Sequence, residues 1–233
     1  MPSFHRFVQG FFVVGASAGI GACTMLETRL AAPASLAADA EVYTAEDRSL
    51  FSGALANESF RLGPYAVSEV DRDWDKSSSV GLGDYSRAKI TSGYKYQFAD
   101  STGVGKARCS SRRDKDAVAL SGSSSLAWVH DQLTCRCELG SGRAELTLSD
   151  DGDGALIGGH SYSVQRLHHT EQGMRLPEPL GFAVSSVNGV AVGAVELEHP
   201  GRVWLASALN PDERSQLSCV LSGLLLFQAP DLD

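Results

Sequence analysis

Short runs of alternating apolar and polar residues recur along most of this chain. The first clear run covers residues 60–70 and bends at Gly63-Pro64, and the next two cover residues 94–98 and 105–110. Because successive side chains of a β-strand point to opposite faces, this period of two is typical of strands with one buried face. Further strands are predicted over residues 118–120, 126–130, 133–139, 143–149, 155–158, 162–168, 182–187, 190–198 and 202–206.

Polar segments separate these predicted strands. Residues 71–85 are polar and glycine-rich and show no strand pattern, and residues 112–116 predict a charged loop. Residues 150–154 predict a turn. The pair Asn188-Gly189 suits both positive-φ positions of a type I′ turn and therefore predicts a tight hairpin.

The last apolar segment predicts a helix. Asn210 suits the N-cap, Pro211 the first helical position, and Glu213 the third position of a capping box. Residues 217–227 are apolar on nearly every side, so this helix must be buried all round. It is too short to span a bilayer, and Pro230 ends it.

Together these patterns predict a mainly β fold. We expect a single antiparallel barrel or sandwich-like domain over residues 58–229, packed on the buried hydrophobic C-terminal helix. A composition rich in serine and glycine, with few lysines, also favours β structure. An open sheet with the helix on one face is the simpler alternative.

The N-terminus has the pattern of a secretory leader. A short basic start precedes an apolar core, residues 7–22, which ends in small residues directly before Cys23. The sequence Ile20-Gly21-Ala22-Cys23 resembles the lipobox of bacterial lipoproteins, in which the chain is cut before a cysteine that carries a diacylglycerol. The resemblance implies a lipoprotein signal peptide over residues 1–22 and lipidation of Cys23.

This resemblance also predicts where the mature protein resides. Thr24 follows the cysteine where an aspartate would favour the inner membrane, which implies an outer-membrane lipoprotein facing the periplasm or the cell surface. Residues 16–18 and 38–40 fit ordinary secretory cleavage as alternatives. Residues 23–57 are rich in alanine and acid and lack alternation, so they predict a tether with one short helix near residues 45–56.

The charge balance narrows the range of partners. The chain has 20 Lys and Arg against 28 Asp and Glu, and cleavage before Cys23 removes Arg6 alone, which leaves a net charge of −9. An acidic surface repels phosphates, so we expect no nucleic-acid partner. The same repulsion opposes charge-driven binding to anionic lipid.

Cysteines in an oxidising envelope predict disulfides. The candidates are Cys109, Cys135 and Cys137. Cys135 and Cys137 share one face of a predicted strand and cannot readily bridge each other, so one of them is expected to pair with Cys109. Closing that loop would stabilise the fold by roughly 3–4 kcal/mol. Cys219 lies in the apolar helix and is expected to be a small buried hydrophobe.

Two clusters resemble metal sites. His130 with Cys135 and Cys137 could bind zinc or copper, but disulfides are the more common use of cysteines in this compartment. Residues 150–153 offer three aspartates, yet they lack the bidentate glutamate of a calcium loop, and a solvated turn explains them equally well. We therefore expect no metal.

The sequence evidence for other kinds of functional site is weaker still. Alternation sends His168 and His169 to opposite faces of a strand, and His160 lies apart from both. Residues 103–106 lack the spacing and the hydroxyl residue of a phosphate loop. Because no Ser/His/Asp set or carboxylate pair stands out, the sequence predicts no cofactor and no enzymatic activity.

The order of elements is similar to that of the tubby and phospholipid-scramblase type of barrel, in which two related halves of sheet wrap a hydrophobic C-terminal helix. The resemblance covers residues 60–227, and the Tyr-x-Val runs at residues 65–67 and 162–164 fit a diverged duplication. It implies membrane-proximal or lipid-related binding. The family's basic phosphoinositide-binding residues have no counterpart in this sequence.

We therefore expect a non-enzymatic, membrane-anchored envelope lipoprotein with a β-rich binding or structural domain. Its partners are the membrane, through lipid on Cys23, and an envelope protein or lipid ligand. A lipid- or small-molecule-binding barrel is the alternative, and an envelope hydrolase is a third candidate. A filled barrel interior favours the first function, whereas a large apolar cavity favours the second.

Overall fold

A computed structural model describes residues 29–48, 58–119 and 125–227 of the chain. In chain order, its elements are α1 (Ala34–Ala37), β1 (Ala40–Glu46), β2 (Phe60–Leu62), β3 (Tyr65–Leu82), β4 (Tyr85–Asp100), β5 (Gly103–Ala119), β6 (Ser125–Leu139), β7 (Gly142–Ser149), β8 (Gly154–Ile157), β9 (His160–Leu167), β10 (Gly181–Ser185), β11 (Ala191–Glu196), β12 (Arg202–Ala206) and α2 (Pro211–Leu226). The mainly β class predicted from the sequence is confirmed. The leader, Cys23 and Pro230 lie outside the described residues.

Within the described residues, the twelve strands form one closed antiparallel barrel. Each strand from β2 to β11 pairs with the next strand along the chain, and β1 closes the barrel by pairing with β12 on one side and β2 on the other. Closure pairs both edges of the sheet in the barrel wall. The barrel, one of the predicted alternatives, is therefore the observed architecture.

Helix α2 lies in the barrel interior. It contacts β3, β5 to β8, β11 and β12, strands that lie on opposite sides of the wall. Every residue from Ser215 to Leu226 is buried. The predicted capping box is confirmed, because the Glu213 amide donates to Asn210 Oδ1 at 2.9 Å and the Asn210 amide donates to a Glu213 carboxylate oxygen at 3.4 Å. The prediction of a helix buried all round is also confirmed.

The cysteines connect the wall to itself and to the helix. Cys109 of β5 pairs with Cys135 of β6, which is one of the predicted pairings. Cys137 pairs with Cys219 of α2, so the expectation that Cys219 is an unpaired small hydrophobe is wrong. The spacing of residues along the chain cannot show which wall a buried helix faces, and that orientation decides the second bridge.

Strands β3 to β6 are much longer than the others and continue beyond the barrel wall. Their outer parts, residues 76–92, 111–119 and 125–132, form a four-stranded antiparallel sheet that we call the paddle. The predicted loop at residues 112–116 is wrong, since these residues lie within β5. Period-two alternation arises only when one face is buried, and most paddle residues lie at least partly exposed on both faces.

The segment before the barrel is not a free tether. Residues 40–46, predicted to be linker, form β1 and complete the barrel, so the predicted domain start at residue 58 is wrong. Residues 29–38 cross the outside of β10 to β12, where Leu30 and Leu36 pack in an apolar cluster with Leu180, Ala194 and Trp204. This cluster is separate from the core inside the barrel. The predicted helix near residues 45–56 is also wrong at Ala45, which belongs to β1.

The hairpin between β10 and β11 forms as predicted, but its turn differs. Gly189 has φ of +76°, whereas Asn188 does not adopt a positive φ, so the turn is not type I′. Instead the Gly189 amide donates to Ser186 O at 2.9 Å and the Ser186 amide donates to Val190 O at 2.9 Å. Residues 186–189 therefore form an ordinary four-residue turn, and Gly189 is its last residue, in the left-handed region.

Gly223 of α2 faces the first disulfide at close range. A Cβ at this position would lie 2.8 Å from the sulfurs of both Cys109 and Cys135. We expect Gly223→Ala to lower the free energy of unfolding by about 1–3 kcal/mol, despite the better helix propensity of alanine. Urea denaturation without reductant measures this effect. Gly140→Ala, which adds a Cβ with no atom within 4 Å, is the matched control and should be neutral.

The two disulfides should contribute unequally to stability. Cys137–Cys219 spans 82 residues and Cys109–Cys135 spans 26. Chain-entropy arguments give about 4.5 kcal/mol for the longer loop and about 3.5 kcal/mol for the shorter one. In urea denaturation, the Cys137→Ala/Cys219→Ala pair should therefore cost more than the Cys109→Ala/Cys135→Ala pair. The reverse order would show that α2 is held mainly by packing.

Candidate functional site

The interior of a β-barrel is a common place for a ligand, and in this barrel it is occupied by α2 and the side chains around it. Tyr94 and Tyr96 of β4 point inward, and their hydroxyls donate to the Gly223 and Cys219 carbonyl oxygens at 2.6 and 2.7 Å. These carbonyls belong to the helix backbone, so the wall is hydrogen-bonded directly to α2. The interior is organised to hold the helix.

Burial keeps these two phenols in their neutral form. Desolvation raises the pKa of Tyr94 well above its usual value, and it also raises the pKa of Tyr96. Both hydroxyls are fully enclosed and both donate to backbone oxygens. They therefore remain structural donors, because a phenol with a raised pKa is poorly suited to act as a general base near neutral pH.

Two arginines close the C-terminal end of α2. Arg48 Nη2 donates to Leu225 O at 2.6 Å, and Arg72 Nη1 donates to Leu226 O at 2.9 Å. Arg72 also pairs with Glu58 at 2.9 Å and lies 5.4 Å from the centre of the Tyr94 ring. The last turn of the helix has no basic residue of its own. Cations from elsewhere in the chain thus satisfy its terminal carbonyls and complement its dipole.

The paddle carries an apolar tip. In the outermost row that spans all four strands, Leu82, Tyr85, Val118 and Leu126 lie side by side. Val80 and Trp128 lie two residues further in on the same face and flank this row at the two edges. Leu82 is 82% exposed and Leu126 51%. We call these six residues the tip. Contiguous exposed apolar side chains of this kind mark interaction surfaces.

Charged residues begin in the second row of the tip, where Arg87 and Asp116 lie between Val80 and Trp128. Arg87 lies 3.7 Å from Asp116, Arg112 lies 2.7 Å from Asp114, and the Tyr85 hydroxyl donates to Asp116. Only the outermost row of the tip, Leu82, Tyr85, Val118 and Leu126, is therefore free of charged side chains.

The paddle also has free edges. β7 pairs with β6 only from Gln132 onward, and β2 pairs with β3 only up to Val67. Among the described residues, β6 from Leu126 to Asp131 therefore has no strand on its outer side. Such an edge is a second potential contact surface.

The N-terminal segment is fixed to the barrel by a buried acid. Glu196 accepts a hydrogen bond from the Leu30 amide at 2.6 Å and pairs with Arg202 at 2.5 Å. The Glu171 amide donates to Arg29 O at 2.9 Å, and the Arg202 guanidinium lies 4.8 Å from the centre of the Trp204 ring. Residues 29–31 are thus attached to the wall by hydrogen bonds as well as by apolar packing.

The predicted metal-like clusters are not brought together as sites. Cys135 and Cys137 are inside the barrel in disulfides, whereas His130 is exposed and lies 3.1 Å from Asp150. Asp153 accepts from the Ser149 amide and pairs with Arg166 at 2.9 Å, so it stabilises the turn. Within the described residues, no three His, Cys, Asp or Glu side chains are grouped to hold a metal ion.

The histidines are placed differently from expectation. His168 and His169 follow the end of β9, so strand alternation does not separate them, and both line one surface groove of about 390 Å³ with Gln165, Arg166 and Arg175. The groove is open and largely polar. Residues 103–106, which lack the pattern of a phosphate loop, are the first residues of β5.

Comparison with known proteins adds no further identification. No protein-family profile matches the chain, and no significant match is found among curated proteins or solved structures. Among the helices of the described residues, none is long and apolar enough to cross a membrane.

Arg48 should matter more to stability than an exposed arginine does. Arg48→Met removes the donor to Leu225 O at a partly buried helix end, and we expect a loss of about 1–3 kcal/mol. Arg87→Met, on the exposed paddle, is the control and should cost no more than about 1 kcal/mol. Urea unfolding of both variants tests this difference. Equal costs would contradict the structural role given to Arg48.

Proposed function

We propose that this protein is a non-enzymatic lipoprotein of the bacterial cell envelope, attached to a membrane through lipid on Cys23. Its barrel is a rigid binding or structural body that uses its outer surface. The observation that carries this proposal is the filled interior, where α2 is bound by tyrosines, disulfides and arginines. A barrel occupied by its own helix favours contacts on the outside.

Two further observations support a location in the cell envelope. The disulfides Cys109–Cys135 and Cys137–Cys219 are typical of proteins that fold in an oxidising compartment. The lipobox-like residues Ile20–Cys23 end shortly before Arg29, where the chain is already attached to the barrel wall. The outer membrane, with the barrel facing the periplasm or the cell surface, is the location that Thr24 favours. An envelope protein or a lipid is the expected partner.

The alternatives receive less support. A lipid- or small-molecule-binding barrel needs interior space, and the centre of this barrel holds α2, so such a ligand would bind outside, for example at the groove near His168. An envelope hydrolase needs a nucleophile with a base and an orienting group. No Ser/His/Asp set or carboxylate pair stands out in the sequence.

Replacing the proposed lipid acceptor tests the anchor. Cys23→Ser should move the protein from membranes to soluble fractions, and mass spectrometry of the wild-type N-terminus should show a diacylated Cys23 as the first residue. Thr24→Asp is the matched variant. It should keep the lipid but shift the protein towards the inner membrane. Unchanged membrane association of Cys23→Ser, with an unmodified wild-type cysteine, would refute the anchor.

A further inference from the structure

The proposed anchor is very short. Five residues, 24–28, separate Cys23 from Arg29, whose carbonyl already accepts from the Glu171 amide on the barrel. At no more than about 3.6 Å for each residue, this segment reaches roughly 20 Å whatever its conformation. A lipidated Cys23 therefore holds one part of the barrel close to the bilayer.

The part held close is the rim from which the paddle emerges. Leu30 pairs with Thr170, just after β9 ends at Leu167, and binds Glu196 at the end of β11. Following the antiparallel pairing round the barrel, these strand ends lie at the same rim that β4 crosses as it leaves for the paddle. The point at which the anchor joins the barrel and the base of the paddle thus lie at the same rim.

The reach of residues 24–28 also matches the length of the paddle. The paddle part of β4, from Tyr85 to Ser92, extends roughly 24 Å beyond the rim at about 3.4 Å for each residue. A strand that tilts as it leaves a barrel reaches somewhat less height above the rim. The tip therefore lies at about the distance that residues 24–28 allow between the rim and the bilayer.

The side chains at the tip suit a lipid interface. Leu82, Val118 and Leu126 supply apolar surface, and Tyr85 and Trp128 belong to the two residue types enriched where hydrocarbon meets headgroups. Asp84, in the turn between β3 and β4, limits insertion to headgroup depth. In the second row, Arg87 and Asp116 lie between Val80 and Trp128, and these charges keep that row at the level of the headgroups.

We propose that the tip of the paddle inserts shallowly into the same bilayer that holds the lipidated Cys23. This inference rests on the proposed function, because it needs the anchor at Cys23. With two attachments at one rim, the barrel has a fixed orientation on the membrane. The far end of the barrel then faces away from the lipid, whereas the groove, which Ala31 and residues 165–169 line, lies at the anchored rim.

A second copy is the competing occupant of this surface. The free edge of β6 could pair with its counterpart in another molecule. The short length of residues 24–28 and the position of Arg29 at the same rim as the paddle favour the bilayer. With these constraints, the lipid on Cys23 brings the tip to the bilayer without a partner molecule.

A fluorescent label on the tip tests the proposal. The lipidated full chain carrying Leu126→Cys is labelled with an environment-sensitive dye and reconstituted in vesicles of phosphatidylethanolamine and phosphatidylglycerol. Val104→Cys is the control, because Val104 is exposed at the opposite rim. We expect the label at 126 to shift to the blue and to be quenched several-fold more strongly by brominated lipid than the label at 104. Leu82→Asp should return the label at 126 to water without releasing the protein.

Each other outcome overturns a specific claim. Vesicle-bound protein whose label at 126 remains aqueous refutes tip insertion and leaves the anchor intact. Protein that does not float with vesicles and has an unmodified Cys23 refutes the proposed function, and tip insertion with it. A label that is shielded without vesicles, increasingly at higher protein concentration, shows that a second copy covers the tip.

Discussion

The barrel depends on the helix buried inside it. A closed sheet of this size must be filled, and α2 fills it with side chains that are apolar on nearly every side. The tyrosine hydroxyls of β4, the Cys137–Cys219 disulfide and two arginines at its C-terminal end fix the helix against different parts of the wall. Gly223 permits the closest approach, where the helix meets the Cys109–Cys135 disulfide.

A filled interior places the functional surfaces outside. The described structure offers four such surfaces: the apolar tip of the paddle, the free edge of β6, the polar groove around His168 and His169, and the wall covered by residues 29–38. The last of these is already occupied by the chain's own N-terminal segment. This attachment shortens the predicted tether, so the proposed lipid on Cys23 would hold the barrel close to a membrane.

Much of the barrel could be predicted from residue patterns. Strands with one buried face alternate visibly, and Asn210, Pro211 and Glu213 mark the start of α2 through local backbone chemistry. The paddle could not be predicted in this way, because residues such as Ser77 to Ser79 are exposed and polar on both faces of a strand. β1 was missed for a related reason: its partners, β2 and β12, are distant in sequence, and its own alternation is weak.

The sequence by itself determined the class of fold, the buried terminal helix and a pairing for Cys109, because these depend on local periodicity and nearby residues. Only the tertiary structure decided that Cys219 pairs with Cys137, that His168 and His169 share one groove, and that Leu30 and the base of the paddle lie at the same rim. Each of these depends on how strands far apart in sequence are brought together, and barrel closure fixes that arrangement.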